Sequence, residues 1–203
     1  MPEAESNLHL RPALRAVLDL LRENGTPGAV IGGLAVSAHA QPRMTRDVDV
    51  LTLLRFEGLD AFLSVARKHG FESRHADPSR LAREVRMVLL RHAPSGVTVD
   101  ISLGCTPFDE EAVRNAVHRQ IAGIPTPIVT PEDLIITKAV AHRPIDAGDI
   151  DMVLTAHPEA NVRRVRRIVK DYAALLEDPE VVADLEKILA RHKRVKRRKL
   201  KGG

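Results

Sequence analysis

Apolar and polar positions alternate with two distinct periods along this chain. In LHLRPALRAVLDLLREN (residues 8–24) leucine and valine recur at helical spacing, and Gly25 ends the run. GAVIGG (28–33) reads as a short strand entering a glycine turn, and LAVSAHA (34–40) as a short helix. DVDVLTLL (47–54) returns to strand character, and EGLDAFLSVARKHG (57–70) is an amphipathic helix closed by Gly70. FESR and EVRMVLLRH (84–92) follow as extended segments, and GVTVDISLG (96–104) alternates Val97, Val99 and Ile101 with Thr98, Asp100 and Ser102. The APSG between those last two reads as a hairpin turn.

FDEEAVRNAV (108–117) is a short helix, and IAGIPTPIV (121–129) an extended stretch whose prolines confine it to a sheet edge. TPEDLIITKAVAH (130–142) opens with Thr130 as N-cap, Pro131 in the first turn and Asp133 three residues on, the spacing of a capping box. Pro144 interrupts it, IDAGDIDMVLTAH resumes it, and 161–192 is helical, divided near Asp178-Pro179. The pattern predicts a mixed sheet with helices over residues 1–130 and a helical lobe over 131–192. A basic tail, 193–203, reads as disordered.

Charge adds an asymmetry. Of 31 Lys and Arg, eight lie in the tail RHKRVKRRKLKGG (191–203), which leaves 23 against 27 Asp and Glu in the rest. Arg163, Arg164, Arg166, Arg167 and Lys170 form a second basic cluster just before. An acidic body with a basic end is the footprint of a polyanion-binding appendage, or of a solubilising tail. Aromatics are only 2%, which argues against a platform for stacking single-stranded bases. One cysteine excludes an intrachain disulfide and a multi-thiolate zinc site, and fits a reducing compartment. The acidic start lacks a signal-like apolar stretch, and no window is apolar enough to span a bilayer. The expectation is a cytoplasmic protein with no membrane partner.

The candidate chemistry lies in GGLAVSAHAQPRMTRDVDV (32–50). Residues i and i+2 of a strand share a face, so Asp47 and Asp49 point together and meet either water or a cation. Few carboxylates, with positions left for water and phosphate, describe a magnesium site, and Asp100 on another strand is a candidate third member. Gly32 and Gly33 allow close backbone approach to phosphate where a helix begins, and Ser37 lies one turn further on. Arg43 and Arg46 bracket Thr45, either to meet substrate phosphate or as a solvated loop. His39 reads equally as packing or substrate contact.

Gly32-Gly33-x-Ala35 followed by Arg43-x-Thr45-x-Asp47-Val48-Asp49 resembles the signature of the nucleotidyltransferase superfamily, in particular its AbiEii-like toxin branch. EDLIITKAVAHRPIDAGDIDMV resembles that branch's helical motif at Lys138, Arg143, Asp146 and Asp149. Many members of the superfamily have Gly-Ser where this chain has Gly32-Gly33.

The resemblance implies an α+β fold with a nucleotidyltransferase-type mixed sheet flanked by helices. It also implies transfer of a nucleoside monophosphate from an NTP to a hydroxyl. Asp47 and Asp49 would hold Mg²⁺, two ions in all, with Asp100 as third ligand or as the group drawing the acceptor's proton. Gly32, Gly33 and Ser37 would cradle the triphosphate. Lys138 would neutralise it, and Arg143 is a further nucleotide contact or part of a salt-bridge network with Asp146 and Asp149. The basic residues, with Arg194, Lys196, Arg197 and Arg198, favour RNA as acceptor, at the tRNA acceptor end; a protein hydroxyl is the alternative. In the toxin branch a cognate antitoxin is the partner. Two competing readings are transfer to an aminoglycoside-type small molecule and a catalytically silent binding domain.

Overall fold

The computed structural model describes residues 7–201, with side chains through 193. It divides into two compact units. One comprises the chain to Ala38 with Pro42–Thr130, the other His39–Gln41 with the chain from Pro131 on.

The first unit is built on a seven-stranded mixed sheet in the order β3-β4-β5-β2-β1-β7-β6. In chain order the strands are β1 (Gly28–Ile31), β2 (Asp47–Thr52), β3 (Phe71–Ser73), β4 (Met87–His92), β5 (Thr98–Leu103), β6 (Val117–Ile121) and β7 (Ile124–Ile128). Alternation gives the central strands two unlike faces. Val30, Val48, Val50, Val88, Leu90, Val99 and Ile101 are fully buried, whereas Asp47, Asp49, Leu89, Thr98, Asp100 and Ser102 are only half-buried. Helices α1 (Arg11–Glu23) and α3 (Leu59–Lys68) pack on one another, and α1 also meets β5 and β7. Their buried stripes, Leu14, Val17 and Leu20 on α1 and Leu59, Phe62 and Leu63 on α3, make an aliphatic core.

Three segments differ from the sequence expectation. The glycine pair does not close β1: helix α2 (Gly32–His39) starts at Gly32 itself. Residues 78–85 form a helix, α4 (Pro78–Val85), capped by Asp77, whose carboxylate accepts the Arg80 N–H at 2.9 Å; the strand begins only at Met87. Arg86 turns the corner in the left-handed region. Residues 117–128 form the β6–β7 hairpin, so β7 is not an edge. The Val129 N–H reaches the Val30 carbonyl, so the ring nitrogens of Pro127 and Pro125, two and four residues back, face the same side. The prolines therefore shorten the β1–β7 ladder, which holds a single register pair, Val30 with Ile128.

The second unit is helical: α6 (Pro131–Ala141), α7 (Asp146–Ala156), α8 (Val162–Leu175) and α9 (Glu180–Lys201). Helix α9 extends to Lys201, into the stretch expected to be a disordered tail. No Gly or Pro intervenes before Gly202, and Lys, Arg and Leu are good helix formers. No helix of the described residues is long and apolar enough to cross a membrane.

The exit from β5 is fixed by a capping box at α5 (Pro107–Arg114). One oxygen of Asp109, Oδ2, accepts the N–H groups of Cys105 and Thr106, both at 2.9 Å, and the Thr106 hydroxyl at 2.8 Å. A Cβ on Gly104 would lie 2.7 Å from that of Asp109, so the corner is closed by contact as well. Asp109→Ala is expected to cost about 1–2 kcal/mol, read in thermal unfolding as a midpoint roughly 2–8 °C lower.

Candidate active site

β2 and β5 run parallel, in register over all six residues of each, which sets Asp49 beside Asp100 and Asp47 beside Thr98. On the other side of β2, Asp49 stands opposite Ile31; on the other side of β5, Asp100 stands opposite Leu89. Laterally paired residues project from the same side of a sheet, so the three carboxylates occupy its half-buried face.

Gly32 closes on this row. Its φ is +66°, and a Cβ there would lie 1.9 Å from Asp49 Oδ2. The turn from β1 into α2 is thus folded onto the carboxylate, and only glycine fits. Gly33 has a different neighbour: a Cβ on it would stand 2.8 Å from both Arg43 Nη2 and Thr45 Oγ1. Ser37, expected at the triphosphate, ties down the same loop. Its hydroxyl is 3.2 Å from the Gly33 carbonyl and 3.0 Å from that of Arg43, and accepts the Arg43 N–H at 3.2 Å. Thr45 is buried and donates its hydroxyl to Asp47 Oδ1 at 2.9 Å, while its carbonyl meets His9 Nε2 at 3.1 Å. The 40–46 loop therefore orients Asp47 through Thr45. Arg46 is exposed.

Arg74, which sequence reasoning missed, donates from Nη2 to Asp100 Oδ1. Burial pushes the Asp100 carboxyl above its ordinary value; the Arg74 guanidinium opposes this and the nearby Asp47 charge adds to it. Among the described residues no three His, Cys, Asp or Glu close into a ready-made metal cluster. The donor set nonetheless suits a hard divalent ion: two carboxylates on one strand, a third beside them, and a backbone that leaves no room for a side chain.

In the helical unit Lys138, expected at the triphosphate, is buried. Its ammonium lies 2.8 Å from both Asp146 Oδ1 and Asp149 Oδ2. Arg143 adds its Nε at 3.0 Å and its own N–H at 3.1 Å to Asp146 Oδ2. A salt-bridge network is expected for Arg143, Asp146 and Asp149; in the structure Lys138 joins it as well. Burial raises the Asp146 carboxyl, but hydrogen bonds from Arg143 and Lys138 outweigh it and hold it below its ordinary value. His39 is buried edge-on against His157, with ring centroids 5.3 Å apart, and its carbonyl bonds His157 Nε2 at 2.9 Å, which is packing.

The basic residues of α8 separate into two sets. Arg164 turns inward to buried Asp133 at 2.7 Å, and Arg166 forks onto Glu186 at 2.5 and 2.9 Å. Arg163, Arg167 and Lys170 share the exposed side at i, i+4 and i+7. Arg194, Lys196, Arg197 and Arg198 lie beyond the described side chains.

The chain belongs to the family described as nucleotidyl transferase of unknown function (DUF2204), whose family model matches residues 10–190. Solved structures share the fold. The solution structure of the antibiotic-resistance factor ANT(2'')-Ia is 16% identical, with 84% of this chain and 95% of that one covered and a TM-score of 0.55. An antigenic nucleotidyltransferase-like protein from Paracoccidioides brasiliensis is 14% identical, with 90% and 93% covered and a TM-score of 0.52. ANT(2'')-Ia in complex with adenylyl-2''-tobramycin is 16% identical, with 81% and 97% covered and a TM-score of 0.52. No curated protein matches the chain.

Gly32→Ala is expected to destabilise the protein by about 1–3 kcal/mol, from left-handed strain and displacement of Asp49, measured by chemical denaturation. Lys138→Met removes the buried ammonium from both Asp146 and Asp149 and should cost about 3–5 kcal/mol. Because folding lowers the Asp146 pKa, its stabilisation is complete above the ordinary carboxylate range and is lost as pH falls through the depressed value. Asp146→Asn should flatten the loss of thermal stability below about pH 4.

Proposed function

We propose that this protein transfers a nucleoside monophosphate from an NTP to a hydroxyl acceptor. The observation that carries this reading is the row of Asp49 and Asp100, with Asp47 beside it, under a helix start that admits only glycine at residue 32. Asp47 and Asp49 hold Mg²⁺, which supplies charge neutralisation at the triphosphate. The acceptor oxygen forms its bond to the α-phosphorus, the bond from that phosphorus to the bridging oxygen of pyrophosphate breaks, and the acceptor's proton passes to Asp100. A carboxyl lifted by burial is the better base for that step. Ser37 positions the 40–46 loop, and Lys138 holds the helical unit together; neither contacts the triphosphate in this reading.

RNA, at a tRNA acceptor end, is the acceptor we favour. Arg163, Arg167 and Lys170 present one exposed basic line, and eight Lys and Arg follow from residue 191, which suits a phosphate backbone read without sequence. The likeness of both motifs to the AbiEii-like branch extends the proposal to a toxin neutralised by a separate antitoxin. A second reading, transfer to a small polycation such as an aminoglycoside, is favoured by the acidic balance of the chain before residue 191, 23 basic against 27 acidic residues.

The test is incubation with each labelled NTP and Mg²⁺ in the presence of total RNA, the protein itself or an aminoglycoside. Asp47→Ala/Asp49→Ala runs beside it. Label on RNA that vanishes in the double variant is expected. Label on the antibiotic alone selects the second reading, and no transfer to any acceptor overturns the enzyme.

A further inference from the structure

Arg74 belongs to the same lateral row as the active-site carboxylates. Its backbone N–H donates to the Leu89 carbonyl at 2.9 Å, continuing the β3–β4 pairing one residue past Ser73. Leu89 stands opposite Asp100, and Asp100 beside Asp49. The row therefore runs Arg74, Leu89, Asp100, Asp49, and the guanidinium crosses above Leu89 to reach Asp100 Oδ1. The two side chains are 32% and 26% exposed. Asp100 is the only carboxylate paired with Arg74 among the described residues, and Oδ2 of Asp100 accepts nothing from them.

Asp47 and Asp100 are thus held by different chemistry. Asp47 accepts from the neutral Thr45 hydroxyl, which orients it without reducing its charge. Asp100 accepts from a permanent cation, which occupies one oxygen and repels a second cation nearby. A carboxylate so held is a weak ligand for a divalent ion but keeps an oxygen able to take a proton. We infer that Arg74 is a positioning residue that keeps Asp100 out of the divalent-ion site formed by Asp47 and Asp49 and reserves it for the acceptor hydroxyl. This rests on the function proposed above, and it gives a structural reason for the proton-accepting role of Asp100 over the third-ligand role that the family resemblance also allows.

The test reads ion binding on the full chain, with no nucleotide or acceptor present, using Mn²⁺ as the probe in a calorimetric or paramagnetic titration. Arg74→Gln should bind Mn²⁺ about 3–10 times more tightly than the unaltered protein, because a carboxylate is released and a nearby positive charge removed. Adding Asp100→Asn to that variant should return the affinity to the starting level, which assigns the gain to Asp100. In turnover, Arg74→Gln should lower kcat and leave KM for the NTP unchanged. Should Arg74→Gln fail to fold, Arg74→Lys keeps the charge but loses the planar fork; it should hold Mn²⁺ affinity near the starting level while kcat falls. Unaltered protein that binds no Mn²⁺ refutes the carboxylate site itself. Unaltered protein that binds it, with Arg74→Gln no tighter, refutes the role of Arg74 alone.

Discussion

The arrangement of the sheet unit depends on the parallel pairing of β2 with β5. Their six register pairs place Val48 beside Val99 and Val50 beside Ile101 on the buried side, and Asp49 beside Asp100 on the other. A one-residue slip would carry the carboxylates into the aliphatic core and the valines out of it, so packing of the apolar face enforces the position of the charged one. The core thus holds like charges close together, an arrangement that favours a bound cation. The chain builds the consequences around it: a glycine against Asp49, a hydroxyl on Asp47 and a guanidinium on Asp100.

The helical unit uses charge differently. Lys138 with Asp146 and Asp149, and Arg164 with Asp133, are ion pairs with buried members, whose geometry fixes how α6, α7 and α8 pack. Breaking such a pair costs more than forming it gains, so these residues specify an arrangement more than they strengthen it. Arg166 is similarly engaged with Glu186 on α9. What remains for a polyanion on α8 is a narrow line of three exposed cations, of which Arg167 also lies 4.0 Å from the exposed Asp171 carboxylate.

Much of this was legible in the sequence. Period-two alternation located β2 and β5, and the Asp-x-Asp spacing placed two carboxylates on one face. The family resemblance ordered Gly32, Asp47, Asp49 and Asp100 along the chain. Three features were hidden for physical reasons. Arg74 is one polar residue in an exposed stretch, and only the β3–β4–β5 register, a matter of long-range pairing, brings it to Asp100. Lys138 looks like a ligand-facing cation because the sequence does not show that Asp146 and Asp149, one helix later, turn back onto it. Ser37 sits at the right distance from the glycines for a phosphate contact, but the loop it ties down returns from residue 43.

The central claim is that the carboxylate row binds nucleotide through a divalent ion. The most direct measurement is the thermal shift caused by a non-hydrolysable NTP, with Mg²⁺ and with chelator, in the unaltered protein and in Asp49→Asn. The account predicts stabilisation of the unaltered protein with Mg²⁺ only, and none in Asp49→Asn. An equal shift in chelator, or an undiminished one in the variant, would contradict it.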